Sequence, residues 1–161
     1  MIELDDIDRR IVAALQADGR LPMVDLADKV GLSPTPCQRR VKRLEEEGVI
    51  ARYAALVAPG ALGFELQAMV QVTLDDHSEK TVEAFEAAIR ARSEVVACYA
   101  MTGDMDFLLI VQARDLASFS DFAMKALLRL PGVRGTRSSF IMQAIKNDLA
   151  WAPKPTPKAR K

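Results

Sequence analysis

The stretch Gly31-Leu32-Ser33-Pro34-Thr35-Pro36-Cys37-Gln38-Arg39-Arg40-Val41-Lys42-Arg43-Leu44 reads as a tight turn followed by a helix with one apolar and one basic face. Ser33 is of the type that caps helix N-termini, and Pro34 suits the first helical position, where the amide it lacks would have no intrahelical partner. Pro36 in the same first turn leaves the Ser33 hydroxyl only the Thr35 amide to accept from, so this cap lacks the reciprocal glutamate of a capping box. Cys37, Val41 and Leu44 recur at helical spacing and face inward, while Arg39, Arg40, Lys42 and Arg43 point outward or lie on the border. Such a helix suits the major groove of DNA. The plainer alternative is an ordinary solvated face, and the surrounding sequence has to decide between them.

Upstream, Ile7, Ile11 and Leu15, with Ala14 beside them, form an apolar stripe that predicts a helix from about 5 to 17, ended at Asp18-Gly19-Arg20 with glycine in the C-terminal position. A short second helix carries Val24, Leu26, Ala27 and Val30 and stops at Gly31, a few residues before Ser33. Three helices with a tight glycine turn before a basic third one make a helix-turn-helix pattern. The third helix ends at Glu45-Glu46-Glu47-Gly48, and Val49-Ile50-Ala51-Arg52-Tyr53 reads as a short strand, which suits a winged variant. Acids gather on the first two helices (Asp5, Asp6, Asp8, Asp18, Asp25 and Asp28) and bases on the third, so one surface of this part is positive.

The whole chain has 161 residues, half of them hydrophobic, with 22 basic and 22 acidic side chains and a formal net charge of zero. That length accommodates one or two domains with real cores, and the balance excludes a globally basic coat protein while permitting a local basic patch. Cys37 and Cys98 sit on apolar periodic positions and His77 stands alone in the polar turn Asp75-Asp76-His77-Ser78, so no disulfide framework or metal site is expected. No apolar run reaches the length of a membrane span, and the N-terminus is acidic where a signal peptide would be basic. A cytoplasmic location is the expectation.

Ala58-Pro59-Gly60-Ala61-Leu62-Gly63 is the Pro/Gly-rich break that divides the chain. The expected organisation is a winged helix-turn-helix domain over 1–52, a hinge over 53–63, an effector-binding and oligomerisation domain over 64–147, and a basic, Pro-rich, disordered tail over 148–161. Within the second domain the pattern reads strand 64–74, helix 79–91, strand 94–102, a turn at Gly103-Asp104, strand 105–112, helix 115–129 and strand 133–145. That order is βαββαβ, a ferredoxin-like α+β arrangement with a four-stranded sheet covered by helices on one face. Strands such as Phe107-Leu108-Leu109-Ile110-Val111 are apolar on both faces, which predicts that something covers the second face, most economically a second copy of the chain.

With these residues in view, the chain resembles the Lrp/AsnC, or feast/famine, regulators over nearly its whole length. The matching motifs include Leu4-Asp5-x-x-Asp8-Arg9-Arg10-Ile11, Gly31-Leu32-Ser33, Arg39-Arg40-Val41-Lys42-Arg43-Leu44-Glu45, Thr102-Gly103-Asp104-x-Asp106-Phe107 and Leu130-Pro131-Gly132-Val133. The resemblance implies a DNA-binding winged head, a hinge and a βαββαβ domain that dimerises, commonly assembles to octamers, and binds amino acids or related effectors. It implies that Thr102, Gly103, Asp104 and Asp106 form an effector loop, with backbone amides for a carboxylate and Asp104 or Asp106 for an ammonium group. Thr136 and Ser138 on the last strand are candidate hydroxyl donors, Ser139 lying on the opposite face. Met105 and Phe107 stand where relatives often carry an aromatic residue and a tyrosine, so this loop lacks that hydroxyl.

By the docking geometry of a helix-turn-helix, Thr35, Gln38 and Arg39 are placed to reach base edges, and Ser33, Arg40, Lys42 and Arg43 to contact phosphates of double-stranded DNA. The leading expectation is therefore a sequence-specific transcriptional regulator whose oligomeric domain senses an amino acid. The alternative is an architectural, nucleoid-type DNA-binding protein with little sequence preference. No nucleophile set, phosphate-cradling glycine loop or metal spacing points to an enzyme, and no cofactor other than the effector is expected.

Overall fold

In the computed structural model, which describes residues 3–146, the first element is helix α1 over Asp6–Ala17. Its cap is built from two aspartates: the Asp5 carboxylate accepts from the Asp8 amide and the Asp8 carboxylate from the Asp5 amide. Ile11 and Ala14 are buried, with Ile7 and Leu15 packed around them. The helix ends differently from the expectation. Asp18 turns the chain itself, accepting from the Arg20 amide at 2.9 Å, and Gly19 is not in the left-handed region. Helix α2 over Met23–Val30 buries Leu26, Ala27 and Val30 but leaves Val24 outside, at 57% exposure.

The turn into the third helix does require its glycine. Gly31 has φ 74°, and the paired bonds from the Leu32 amide to the Ala27 carbonyl (2.9 Å) and from the Gly31 amide to the Asp28 carbonyl (3.2 Å) close the end of α2. Helix α3 spans Pro34–Glu46 and sends Cys37, Val41 and Leu44 into the core of the unit. Ser33 occupies the N-cap position in extended backbone, yet its hydroxyl makes no capping bond; with prolines at 34 and 36, only the Thr35 amide was on offer.

The strand expected at Val49–Tyr53 does not form. A strand needs a neighbouring ladder, and the described residues of this unit contain no other strand. The segment instead folds back on the helices: Val49 and Ile50 pack against the core, the Ile50 amide donates to the Leu44 carbonyl at 3.0 Å, and the Tyr53 hydroxyl donates to Glu45 at 2.9 Å. The first compact unit runs to Leu56 and the second from Val57 to Ile145. The expected tail at 148–161 lies outside the described residues.

The second unit contains β1 (Leu66–Leu74), α4 (Glu79–Arg90), β2 (Val95–Ala100), β3 (Phe107–Ala113), α5 (Leu116–Asp121) and β4 (Val133–Phe140). The sheet order is β2-β3-β1-β4 and all pairings are antiparallel, the arrangement expected from βαββαβ. Strand β4 stops at Phe140, short of the expected 145, because its partner runs out: Phe140 already faces Ala68, two residues from the start of β1.

The second helix is regular only to Asp121, then widens into an i→i+5 turn over Phe122–Ala126 and tightens over Leu127–Arg129. The buried side chains explain it. Phe119 and Phe122 are followed by Leu127, five residues on, and a regular helix would bring Ala126 to that place in the core instead. Gly132, at φ 70°, begins the return into β4 with its α-carbon against α4; a Cβ there would lie 2.2 Å from the Thr81 methyl.

Both helices cover the same face of the sheet, burying Ala68, Val70 and Val72 of β1 and Leu109 and Val111 of β3 against Phe85, Ile89, Phe119 and Phe122. The register sets what the other face presents. One row across the sheet is Tyr99, Leu108, Gln71 and Arg137, and the next is Ala97, Ile110, Met69 and Ser139. Tyr99 is 55% and Met69 43% exposed, so the face is apolar toward β2 and β3, polar toward β4, and uncovered in the single chain.

Candidate nucleic-acid interface and effector loop

Helix α3 presents two different sets of side chains to its surroundings. Thr35, Gln38, Arg39 and Lys42 lie at i, i+3, i+4 and i+7, are all exposed, and form one outward face beginning next to exposed Ser33. Arg39 has no ion-pair partner among the described residues. Lys42 is held by Glu46 at 3.5 Å through two well-exposed side chains, a contact that solvent screens.

Arg40 and Arg43, expected at phosphates, are engaged within the fold. The Arg40 Nη1 donates to Asp5 at 2.7 Å and to Asp8 at 2.8 Å, and the Arg43 Nη2 donates to the second Asp8 oxygen. Asp8 is 1% exposed. The first turn of α1 and the middle of α3 are thus fastened by a carboxylate–guanidinium cluster. Desolvation pushes the Asp5 carboxyl up, but the Asp8 amide and the Arg40 guanidinium outweigh it and hold the group below its ordinary value. The same bonds, to Asp5 and then Asp8, raise Arg40 further. Sequence reading placed acids on the first two helices and bases on the third as separate surfaces; only the packing of α1 against α3 brings them together.

In the second unit, the segment between β2 and β3 carries the other candidates. Thr102, Gly103 and Asp104 are exposed, and Gly103 has φ 107°, a conformation that glycine adopts without strain. Asp106 is committed to the fold. Its carboxylate accepts from the Leu74 amide at 2.7 Å and bonds His77 Nε2 at 2.8 Å, while its amide donates to the Val72 carbonyl at 3.0 Å. The Leu74 amide first, and His77 second, hold this carboxyl below its usual range. His77, which stands alone in its polar turn in the sequence, therefore joins the α4 entry to the loop.

A cleft of about 340 Å³ opens beside this loop, lined by Asp104, Met105, Gln71, Thr73, Arg134 and Arg137, together with Gly135 and Thr136. Thr136 borders this cleft with Asp104, but it pairs with Val72 just as Ser138 pairs with Val70, so both hydroxyls belong to the side of the sheet that the helices cover. Arg137 and Gln71 were missed in the sequence, since their sharing a cross-strand pair follows from strand register. Among the described residues no group of His, Cys, Asp or Glu could hold a metal ion, and no helix is long and apolar enough to cross a membrane.

Fold and sites together define a helix-turn-helix DNA-binding protein with a separate α+β ligand-binding unit. Residues 4–51 match the winged helix-turn-helix DNA-binding family and residues 67–151 the Lrp/AsnC ligand binding domain. The leucine-responsive regulatory protein of Haemophilus influenzae is 44% identical over 143 residues, 89% of this chain and 86% of that one. That of Escherichia coli K12 is 41% identical over 144 residues, 89% and 88% of the two chains. Among solved structures, a transcriptional regulator of Neisseria meningitidis in complex with L-Met superposes with TM-score 0.89 at 39% identity, covering 92% of this chain and 96% of that one. A feast or famine regulatory protein from M. tuberculosis complexed with L-methionine gives 0.83 at 34% identity, covering 94% and 100%. The chain belongs to the Lrp/AsnC family of transcriptional regulators.

Proposed function

We propose that the chain binds operator DNA in a sequence-specific manner through α3 and adjusts that binding to an amino acid held beside the Gly103 loop. The observation that carries the reading is the exposed face Thr35, Gln38, Arg39 and Lys42 on the second helix of a helix-turn-helix. Thr35, Gln38 and Arg39 read base edges; Ser33 and Lys42 meet phosphates. The division of labour follows the expected boundaries: reading head 1–52, hinge 53–63, sensing and assembly domain 64–147.

In the cleft, the guanidiniums of Arg134 and Arg137 suit a ligand carboxylate, with the amides of the adjoining Thr102-Gly103 turn next to them, and Asp104 suits its ammonium group. Asp106 shapes the loop. The exposed apolar side chains Met69 and Tyr99, with Leu108 and Ile110 between them, favour a homodimer packed sheet against sheet, which presents two reading heads to a roughly palindromic operator. Such dimers assemble further, to an octamer, and act in the cytoplasm.

The test is binding of the purified protein to the DNA upstream of its own coding region and to shuffled DNA, with and without a panel of amino acids, while the mass of the assembly is followed. A specific complex shifted by one amino acid is the expected result. Specific binding indifferent to the whole panel would remove the sensing role, and equal binding to shuffled DNA would replace the regulator with an architectural protein.

A further inference from the structure

Between Arg39 and Arg43 the reading helix carries four cations, yet they are not equally available to DNA. We propose that Asp8 is a guard residue: it holds Arg40 and Arg43 away from the phosphate backbone, so that attraction to DNA of arbitrary sequence is set by fewer charges than the helix carries, and discrimination between sequences gains.

Asp8 is 1% exposed, and its two carboxylate oxygens take Arg40, Arg43 and the Asp5 amide between them. Arg40 is gripped a second time by Asp5 at 2.7 Å and is itself 29% exposed. A DNA phosphate offers either guanidinium an anion. Taking it, however, would strip a buried carboxylate of its counter-charges in a place that water does not reach, and an uncompensated buried charge is strongly unfavourable. Lys42 differs in kind: its partner Glu46 is an exposed i+4 neighbour, and releasing it costs little. Arg39 has no acid to leave among the described residues. Two cations are therefore releasable and two are retained. Because every phosphate neutralised adds about 0.9 to the slope of log affinity against log salt, the division is directly measurable.

The measurement is the salt dependence of binding to shuffled DNA and to an operator-containing fragment by the full-length protein. In Asp8→Asn the side chain keeps its shape and an acceptor oxygen but loses the charge that retains the arginines. We expect affinity for shuffled DNA to rise several-fold at low salt, the slope to steepen by about 1 to 2, and the ratio of operator to shuffled affinity to fall. A purely architectural Asp8 would lower both affinities together and leave the slope of the folded fraction unchanged, and that result would overturn the proposal. Arg43→Gln keeps the Arg40–Asp8 bond and so covers the case in which Asp8→Asn does not fold. Its slope on shuffled DNA should stay at the wild-type value, whereas a decrease of about one would show Arg43 on a phosphate and sink the idea. Wild-type binding to the operator fragment, measured alongside, reports separately on the DNA-binding reading.

Discussion

Arg39 and Lys42 stand one turn of α3 apart and answer different questions about DNA. With no acid to satisfy among the described residues, Arg39 can place its planar fork against a purine edge, a contact worth about 1–3 kcal/mol of discrimination. Arg39→Ala should accordingly relax sequence preference by roughly tenfold or more, whereas Lys42→Ala should weaken all DNA about equally and reduce the salt slope by about one. Competition binding on operator and shuffled DNA separates the two, and equal loss of preference at both positions would refute the assignment. Asp106 makes a different kind of prediction. Its carboxyl is held below the ordinary value by the Leu74 amide and His77, so its stabilising contribution is fully present above the unfolded-state value near 3.9 and is lost as pH falls through the lower folded-state value. Thermal midpoints of wild type and Asp106→Asn should therefore differ at pH 6 and converge toward pH 2; a gap that widens in acid would contradict the bonding described. None of this was legible at 106 in the sequence, where the resemblance offered the carboxylate to an effector's ammonium group and the amide it serves is 32 residues away.

The elements were read well where a single periodicity governs and poorly where partners do. Helices α1 to α4 emerged from apolar spacing because each buries one stripe against its own unit. The failures have specific causes. Val49–Tyr53 has strand composition but no ladder to join, β4 ends beside the start of its antiparallel partner β1, and the helix after Leu116 widens because its core residues are five apart rather than four. Glycines sort in the same way. Gly31 and Gly132 share a left-handed backbone, but a Cβ at Gly31 meets nothing within 4 Å while one at Gly132 meets the Thr81 methyl at 2.2 Å. Gly31→Ala should therefore cost only the conformational term, about 1–2 kcal/mol, and Gly132→Ala clearly more. Adding Thr81→Ser, which removes that methyl, should restore much of the difference; denaturant midpoints of the three variants decide it.

For the whole molecule, the uncovered sheet face carries the prediction. Leu108 lies at its centre between Tyr99 and Gln71, so Leu108→Lys should leave the monomer folded, its helix-covered core being on the other side, while shifting the sedimentation coefficient toward a single chain. An unchanged assembly mass would move the interface elsewhere. The apolar character of the second sheet face was legible from Phe107–Val111; the cleft was not, because Gln71, Asp104 and Arg137 meet only after three strands are aligned. One last feature reaches beyond affinity. Prolines at 34 and 36 restrict the first turn of the reading helix before any partner arrives, in the folded chain and in the unfolded one alike. Little ordering entropy is then left to lose when the tip enters a groove, and the helix docks already wound. Association should proceed without a slow conformational phase, and differences among operators should reside in how long each complex lasts.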